Sequence, residues 1–174
     1  IVHQVAPGVA AGCPVIVKPA PDTPLSGKAF VEILHEAGLP PEWCQLIITD
    51  QIDVAEKLVT DERVGIFSFI GSARVGWMLR SKLAHGTRAA LEHGGAAPVI
   101  VAADADLDDA VPRMVKGGFY HAGQVCVSVP RVFAHADIAR SLAEQIAQQA
   151  GQRIVGAPTN PKPRNGPVDR AGQG

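Results

Sequence analysis

Charge excess, paired cysteines, aromatics and long apolar runs are all scarce in this chain. The formal net charge is −1, with lysines and arginines scattered. That leaves no basic stripe for nucleic acid or an anionic membrane surface. No apolar run reaches the length of a membrane span. The opening Ile1-Val2-His3-Gln4 has no basic region followed by a signal-type apolar core, and it lacks Met, which leaves room for chain upstream. The three cysteines, Cys13, Cys44 and Cys126, make no disulfide framework. An odd count without paired spacing suits a reducing, cytoplasmic setting. No C-x-x-C or H-x-x-x-H spacing points to zinc.

Aromatics are only 5% of the chain, so alanine, valine, glycine and proline must build the core and its turns. That composition favours a layered α/β build. An apolar content of 47% over 174 residues is enough for one sizeable core or two small ones.

Two stretches carry possible chemistry. Gly117-Gly118-Phe119-Tyr120-His121-Ala122-Gly123-Gln124-Val125-Cys126 sets a thiol just past a glycine-broken turn that follows a helical run. Leu91-Glu92-His93-Gly94-Gly95 sets a carboxylate beside a second glycine pair. A thiol that attacks and a carboxylate that takes protons make a nucleophilic pair if the fold joins them. Each residue also has a plainer reading. A lone cysteine is most often a small buried apolar residue, and Cys13 and Cys44 are read that way. A glutamate at a strand end usually faces solvent. His121 invites a Cys–His dyad, but no other protease signature accompanies it, and it is read as lining a pocket.

In chain order, Val5 to Gly12 is expected to form a short helix, and Pro14 to Lys18 a buried strand ending in a charge. Lysine at a strand's C-terminal end stands where ligands bind in open α/β sheets, although a solvated lysine is the plainer reading. Thr23 and Pro24 start a helix that Gly38-Leu39-Pro40-Pro41 stops. Strands are expected over Leu46–Thr49, Val64–Ile70, Thr87–Leu91, Pro98–Ala102 and Val129–Ala134, the last interrupted by Pro130. Helices are expected over Ile52–Thr60, Val75–Leu83, Val111–Tyr120 and Asp137–Gln149. The acidic run Asp104 to Asp109 suits a helix start and lacks the glycine and distal glutamate of a calcium loop. Between strand and helix, Gly71-Ser72 could open an anion site at a helix N-terminus, though in isolation an ordinary turn is the better reading.

Taken together, the motifs resemble those of the aldehyde dehydrogenase superfamily, in family order and over nearly the whole chain. Val15-Ile16-Val17-Lys18-Pro19-Ala20 with Thr23-Pro24-Leu25 resembles the strand and loop of the cofactor-binding lysine. Phe69-Ile70-Gly71-Ser72 with Val75-Gly76 resembles the nucleotide-loop motif F-T-G-S-x-x-V-G, with Ile70 for threonine. Leu91-Glu92-His93-Gly94-Gly95 resembles the general-base motif L-E-L-G-G, and Gly123-Gln124-Val125-Cys126 the nucleophile motif. Val155 to Pro158 with Gly166-Pro167-Val168 resembles the G-x-P…G-P-L segment.

The resemblance implies an α/β fold. Residues 1–93 would be part of a Rossmann-like NAD(P)-binding domain, and 94–174 the start of an incomplete catalytic domain. It implies Cys126 as nucleophile, Glu92 as general base, and Lys18, Gly71, Ser72 and Gly94 at the cofactor. The family often has a ribose-holding glutamate where Pro21 stands; without that carboxylate a 2′-phosphate is not repelled, so NAD and NADP both remain open. Asp50-Gln51 replace frequent glycines, so the adenine end may be altered. The resemblance further implies a small aldehyde as substrate and a homo-oligomer for the full-length protein. The family's oxyanion asparagine would lie upstream and its second ribose-binding glutamate downstream. The chain alone is therefore expected to be weak or inactive. A coenzyme A-acylating relative and a non-catalytic binding fragment stay open as alternatives. Glu92 weighs against the former, because acyl transfer to coenzyme A needs no water-activating base.

Overall fold

Short runs, most of them rich in β-branched or aromatic residues but β2 (Cys44–Leu46) and β4 (Arg88–Glu92) without either, become strands, and amphipathic runs between paired strands become crossover helices. The computed structural model describes residues 1–157, 159 and 165–168. The tail prolines Pro158, Pro161 and Pro163 lie outside the described residues. The chain divides into two compact units, Ile1–Glu92 and His93–Gly174.

The first unit runs α1 (Val2–Ala10), β1 (Val15–Val17), α2 (Pro24–Glu36), a 3₁₀ turn (Pro41–Trp43), β2 (Cys44–Leu46), α3 (Ile52–Thr60), β3 (Ile66–Ile70), α4 (Ala73–Arg80) and β4 (Arg88–Glu92). β1 pairs in parallel with β2, and β3 with β4. Each pair encloses a helix, α2 or α4, so both are βαβ units. The second unit repeats the pattern: β5 (Pro98–Val101), α5 (Leu107–Phe119), a 3₁₀ turn (Tyr120–Gly123), β6 (Arg131–Ala134) and α6 (Ala136–Gly151), with β5 parallel to β6. Among the described residues no helix is long and apolar enough to cross a membrane.

Helix ends follow their local chemistry. α2 has Pro24 in its first turn and stops at Gly38, whose φ of 96° needs a residue without a Cβ. There Gly38 N–H donates to the His35 carbonyl and Leu39 N–H to the Leu34 carbonyl, the paired bonds of a Schellman end. Thr23 occupies the N-cap position of α2, but its side chain makes no capping bond. At α5 the Asp106 carboxylate accepts from the N–H groups of Asp108 (3.0 Å) and Asp109 (3.3 Å), so the acidic run caps the helix. Pro112 sits inside α5 without ending it.

β2 departs from expectation. It spans Cys44–Leu46, not Leu46–Thr49, because β1 offers only three partners: Val15, Ile16 and Val17 face Cys44, Gln45 and Leu46. One more bond, from Ile47 N–H to the Val17 carbonyl at 2.9 Å, ends the pairing, and Ile48 is half exposed. The apolar run signalled burial potential but not register.

Each unit has its own core. Val5, Val17, Val31 and Cys44 form one, with Phe30, Leu34 and Leu46 packed around them. Val101, Val111, Met114, Val115 and Leu142 form the other, where α5 and α6 cover one face of β5–β6. Ile100 and Phe133, in register on that sheet, are 82% and 53% exposed. Parallel sheets ordinarily bury both faces.

Cys13 is a correction: its residue type points to burial, and it is exposed. It falls just beyond the end of α1, its N–H held by the Gly8 carbonyl at 2.9 Å, and a residue leaving a helix end points away from that helix's packed stripe. Cys44, on a strand between helices, is fully buried, and burial pushes its thiol pKa up.

Candidate active site

In the first unit, candidate residues follow directly on strand ends. Lys18 comes one residue after β1 and is exposed, its ammonium donating to the Pro19 carbonyl at 3.0 Å. Gly71 and Ser72 follow β3, and Glu92 is the last residue of β4. Parallel pairing sets Ile70 opposite Glu92, and the Gly71 N–H donates to the Glu92 carbonyl at 3.0 Å. The candidate phosphate turn and the candidate base are therefore neighbours across one strand pair.

That bond occupies one backbone donor of the turn, at Gly71. Its N–H is engaged by Glu92 and is not offered to a ligand. Its missing side chain matters elsewhere, since a Cβ there would lie 2.6 Å from the Phe69 ring. Ser72 is the N-cap of α4, its Oγ accepting from the Val75 N–H at 3.4 Å. The N–H groups of Ala73 and Arg74 stand in the first turn, where helix geometry supplies no intrahelical acceptor. Anion-binding capacity at this turn rests on those two groups. Donors there and the Lys18 ammonium fit the phosphates and ribose hydroxyls of a dinucleotide. Glu92 itself is exposed.

The second unit holds Gly94 and Cys126. Gly94 is exposed with open space around it. Cys126 is also exposed, on a loop folded back onto the C-terminal end of α5. Hydrogen bonds within the loop and onto the end of α5 hold it. Ser128 N–H donates to the Val125 carbonyl (3.0 Å), Val129 N–H to the Gly117 carbonyl (3.3 Å), and the Ser128 hydroxyl reaches the Gly117 carbonyl at 3.4 Å. Ser128 is buried. Sequence reading missed it; the available signal was a single hydroxyl within the apolar run Val125 to Val129. Before the cysteine, His121, Ala122 and Gly123 all take left-handed φ values of 50°, 57° and 77°. His121 lines a shallow hollow with Gln124, Gly166 and Pro167.

Comparison with known proteins places these features. The aldehyde dehydrogenase family model matches residues 1–173. The chain belongs to the aldehyde dehydrogenase family, and its fold is the α/β fold of those enzymes. A 3-sulfolactaldehyde dehydrogenase of Priestia megaterium is 35% identical over 170 residues, 98% of this chain and 35% of the relative. A betaine aldehyde dehydrogenase of Cereibacter sphaeroides is 37% identical over 166 residues, 95% of this chain and 34% of the relative. Among solved structures, a glyceraldehyde-3-phosphate dehydrogenase of Methanocaldococcus jannaschii complexed with NADP superposes with a TM-score of 0.88 at 34% identity, over 95% of this chain and 37% of that one. A betaine aldehyde dehydrogenase of Staphylococcus aureus in complex with NAD+ gives 0.90 at 30% identity, over 97% and 34%. The chain thus spans about a third of the length of these relatives.

Proposed function

We propose that the protein is an NAD- or NADP-dependent dehydrogenase that oxidises a small aldehyde to its carboxylic acid, with Cys126 as nucleophile and Glu92 as base. The observation that carries this is the bond from Gly71 N–H to the Glu92 carbonyl, within a chain matched by the family model from end to end. It puts the turn read as phosphate-binding beside the strand end read as bearing the base.

In this reading the Cys126 thiolate attacks the aldehyde carbon, forming the C–S bond of a thiohemiacetal and placing negative charge on the carbonyl oxygen. The Cys126 backbone N–H faces that charge as an oxyanion donor. A nicotinamide cofactor, held through Lys18 and the first turn of α4, would supply the hydride acceptor needed to take the thiohemiacetal to a thioester on Cys126. Glu92 takes a proton from the water that attacks the thioester, the C–S bond breaks, and Cys126 departs as thiolate. Lys18 holds ribose hydroxyls, and the first turn of α4 holds phosphate. Pro21, in place of an acidic residue, removes the group that would repel a 2′-phosphate, and the neighbours complexed with NADP and with NAD+ support both cofactors.

Short oxidised aldehydes, such as lactaldehyde and succinic semialdehyde, are the favoured substrates. The relatives support this, including a non-phosphorylating aspartate-semialdehyde dehydrogenase of Halomonas elongata at 39% identity over 157 residues. The exposed Ile100 and Phe133 support the reading of this chain as part of a larger subunit. The test follows aldehyde-dependent NADH and NADPH formation in this chain and in one extended at both ends to the relatives' length, with Cys126→Ser as control. Activity confined to the extended, Cys126-intact protein supports the proposal. Dinucleotide binding without oxidation of any aldehyde in a broad panel favours a binding module, and activity only with coenzyme A favours the acylating relative.

A further inference from the structure

Gly95 looks at first like a spare member of the Gly94–Gly95 pair. A methyl group built on it would lie 2.1 Å from the Cys126 carbonyl oxygen and 3.2 Å from the Cys126 carbonyl carbon. Among the other described glycines with a neighbour within 4 Å, none would bring a Cβ so close to a backbone atom. Gly94, one residue earlier, meets nothing within 4 Å. The atoms met by Gly95 are backbone, so no side-chain rotation relieves the overlap. A carbon needs about 3.3 Å from a carbonyl oxygen even in a favourable C–H···O approach, so any side chain at 95 must push the peptide after Cys126 aside by about 1 Å.

We propose that Gly95 is a positioning residue for the nucleophile: its bare α-carbon seats against the Cys126 peptide and sets where the thiol stands. The inference rests on the reading of Cys126 as nucleophile. The cysteine loop is then gripped from two directions. Ser128 ties its far end to the Gly117 carbonyl at the end of α5, and Gly95 braces the peptide at Cys126 itself. The segment from Gly117 to Cys126 carries left-handed backbone at His121 and Ala122. Such a segment keeps its shape only while its surroundings enforce it. When a side chain at 95 displaces the peptide, the thiol moves by about the distance that costs an enzyme 100-fold in rate.

The test uses thiol alkylation resolved by peptide mass spectrometry in the 174-residue chain. Iodoacetamide is the probe, exposed Cys13 the internal reference, and pH is varied so that altered ionisation separates from altered access. Gly95→Ala is compared with Gly151→Ala, which places its methyl in open space at the end of α6. The expected result is a Cys126/Cys13 rate ratio changed at least about three-fold by Gly95→Ala and unchanged by Gly151→Ala, with the α5 and α6 amides still protected from exchange. An unchanged ratio in Gly95→Ala overturns the proposal.

A second measurement is independent of that variant's folding. The unsubstituted chain should show a nuclear Overhauser effect between the α-protons of Gly95 and Cys126. Its absence overturns the proposal; its presence supports it should Gly95→Ala lose the helix protection. Failure of the dehydrogenase reading is a separate result, aldehyde oxidation that survives Cys126→Ser.

Discussion

Leu142→Ala should cost far more than Ile100→Ala, although both remove three carbons from an aliphatic side chain of the same unit. Leu142 is 2% exposed and packs among Val101, Val111, Met114 and Val115. Three buried carbons are worth about 2.4 kcal/mol in transfer free energy at about 0.8 kcal/mol each. The cavity left between α5 and α6 raises the expected loss to about 3 kcal/mol. Ile100 is 82% exposed, so about a fifth of the same transfer energy applies, about 0.5 kcal/mol. Weaker strand preference brings that loss to about 1 kcal/mol. For a unit of this size, with a urea dependence of about 1 kcal/mol per molar, the midpoints should differ by about 2 M. Urea titration, with amide exchange in α5 and α6 as the local report, reads the difference. Equal midpoint shifts would refute the assignment of the core to the α5–α6 side of the sheet. In a longer protein that covers the other face, Ile100→Ala should instead cost about 2–4 kcal/mol, so the same pair of variants also tests whether this sheet face is meant to be buried.

Three further outcomes are expected. Asp106→Ala removes the carboxylate that accepts from the Asp108 and Asp109 N–H groups; it should destabilise α5 by about 1 kcal/mol, seen as faster amide exchange in that helix. Ala122→Gly relieves a left-handed backbone (φ 57°) in the cysteine loop and should raise stability by about 1 kcal/mol; a lowered urea midpoint would contradict that strain. Burial raises the Cys44 pKa, so the folded chain holds this proton more tightly than the unfolded chain. The corresponding stability is intact below the unfolded thiol pKa of about 8.5 and is lost as pH rises toward the folded value. Stability profiles across the alkaline range should therefore fall less steeply for Cys44→Ala than for the unsubstituted chain.

Much of the architecture was legible along the chain because local chemistry decides it. Pro24 and Gly38 bracket α2, the acidic run starts α5, and β-branched runs mark β1, β3, β5 and β6. The candidate site was legible only as separate motifs. A strand end is readable from a short apolar run, so Lys18, Gly71 and Glu92 could be placed one by one. Their neighbours could not, because pairing joins residues far apart in sequence: the Gly71–Glu92 bond exists only once β3 and β4 lie in register.

Cys13 and β2 show the same limit. Apolar character states that a residue can be buried, while the partner strand and the packed face of the helix decide whether it is. The sequence by itself determined the residue types, the order of the motifs and most helix and strand identities, since propensity, capping and periodicity act over a few residues. Tertiary structure alone decided that Gly95 meets Cys126, that Ser128 is buried, and that His121 and Ala122 take left-handed backbone, because each depends on where a distant segment comes to rest.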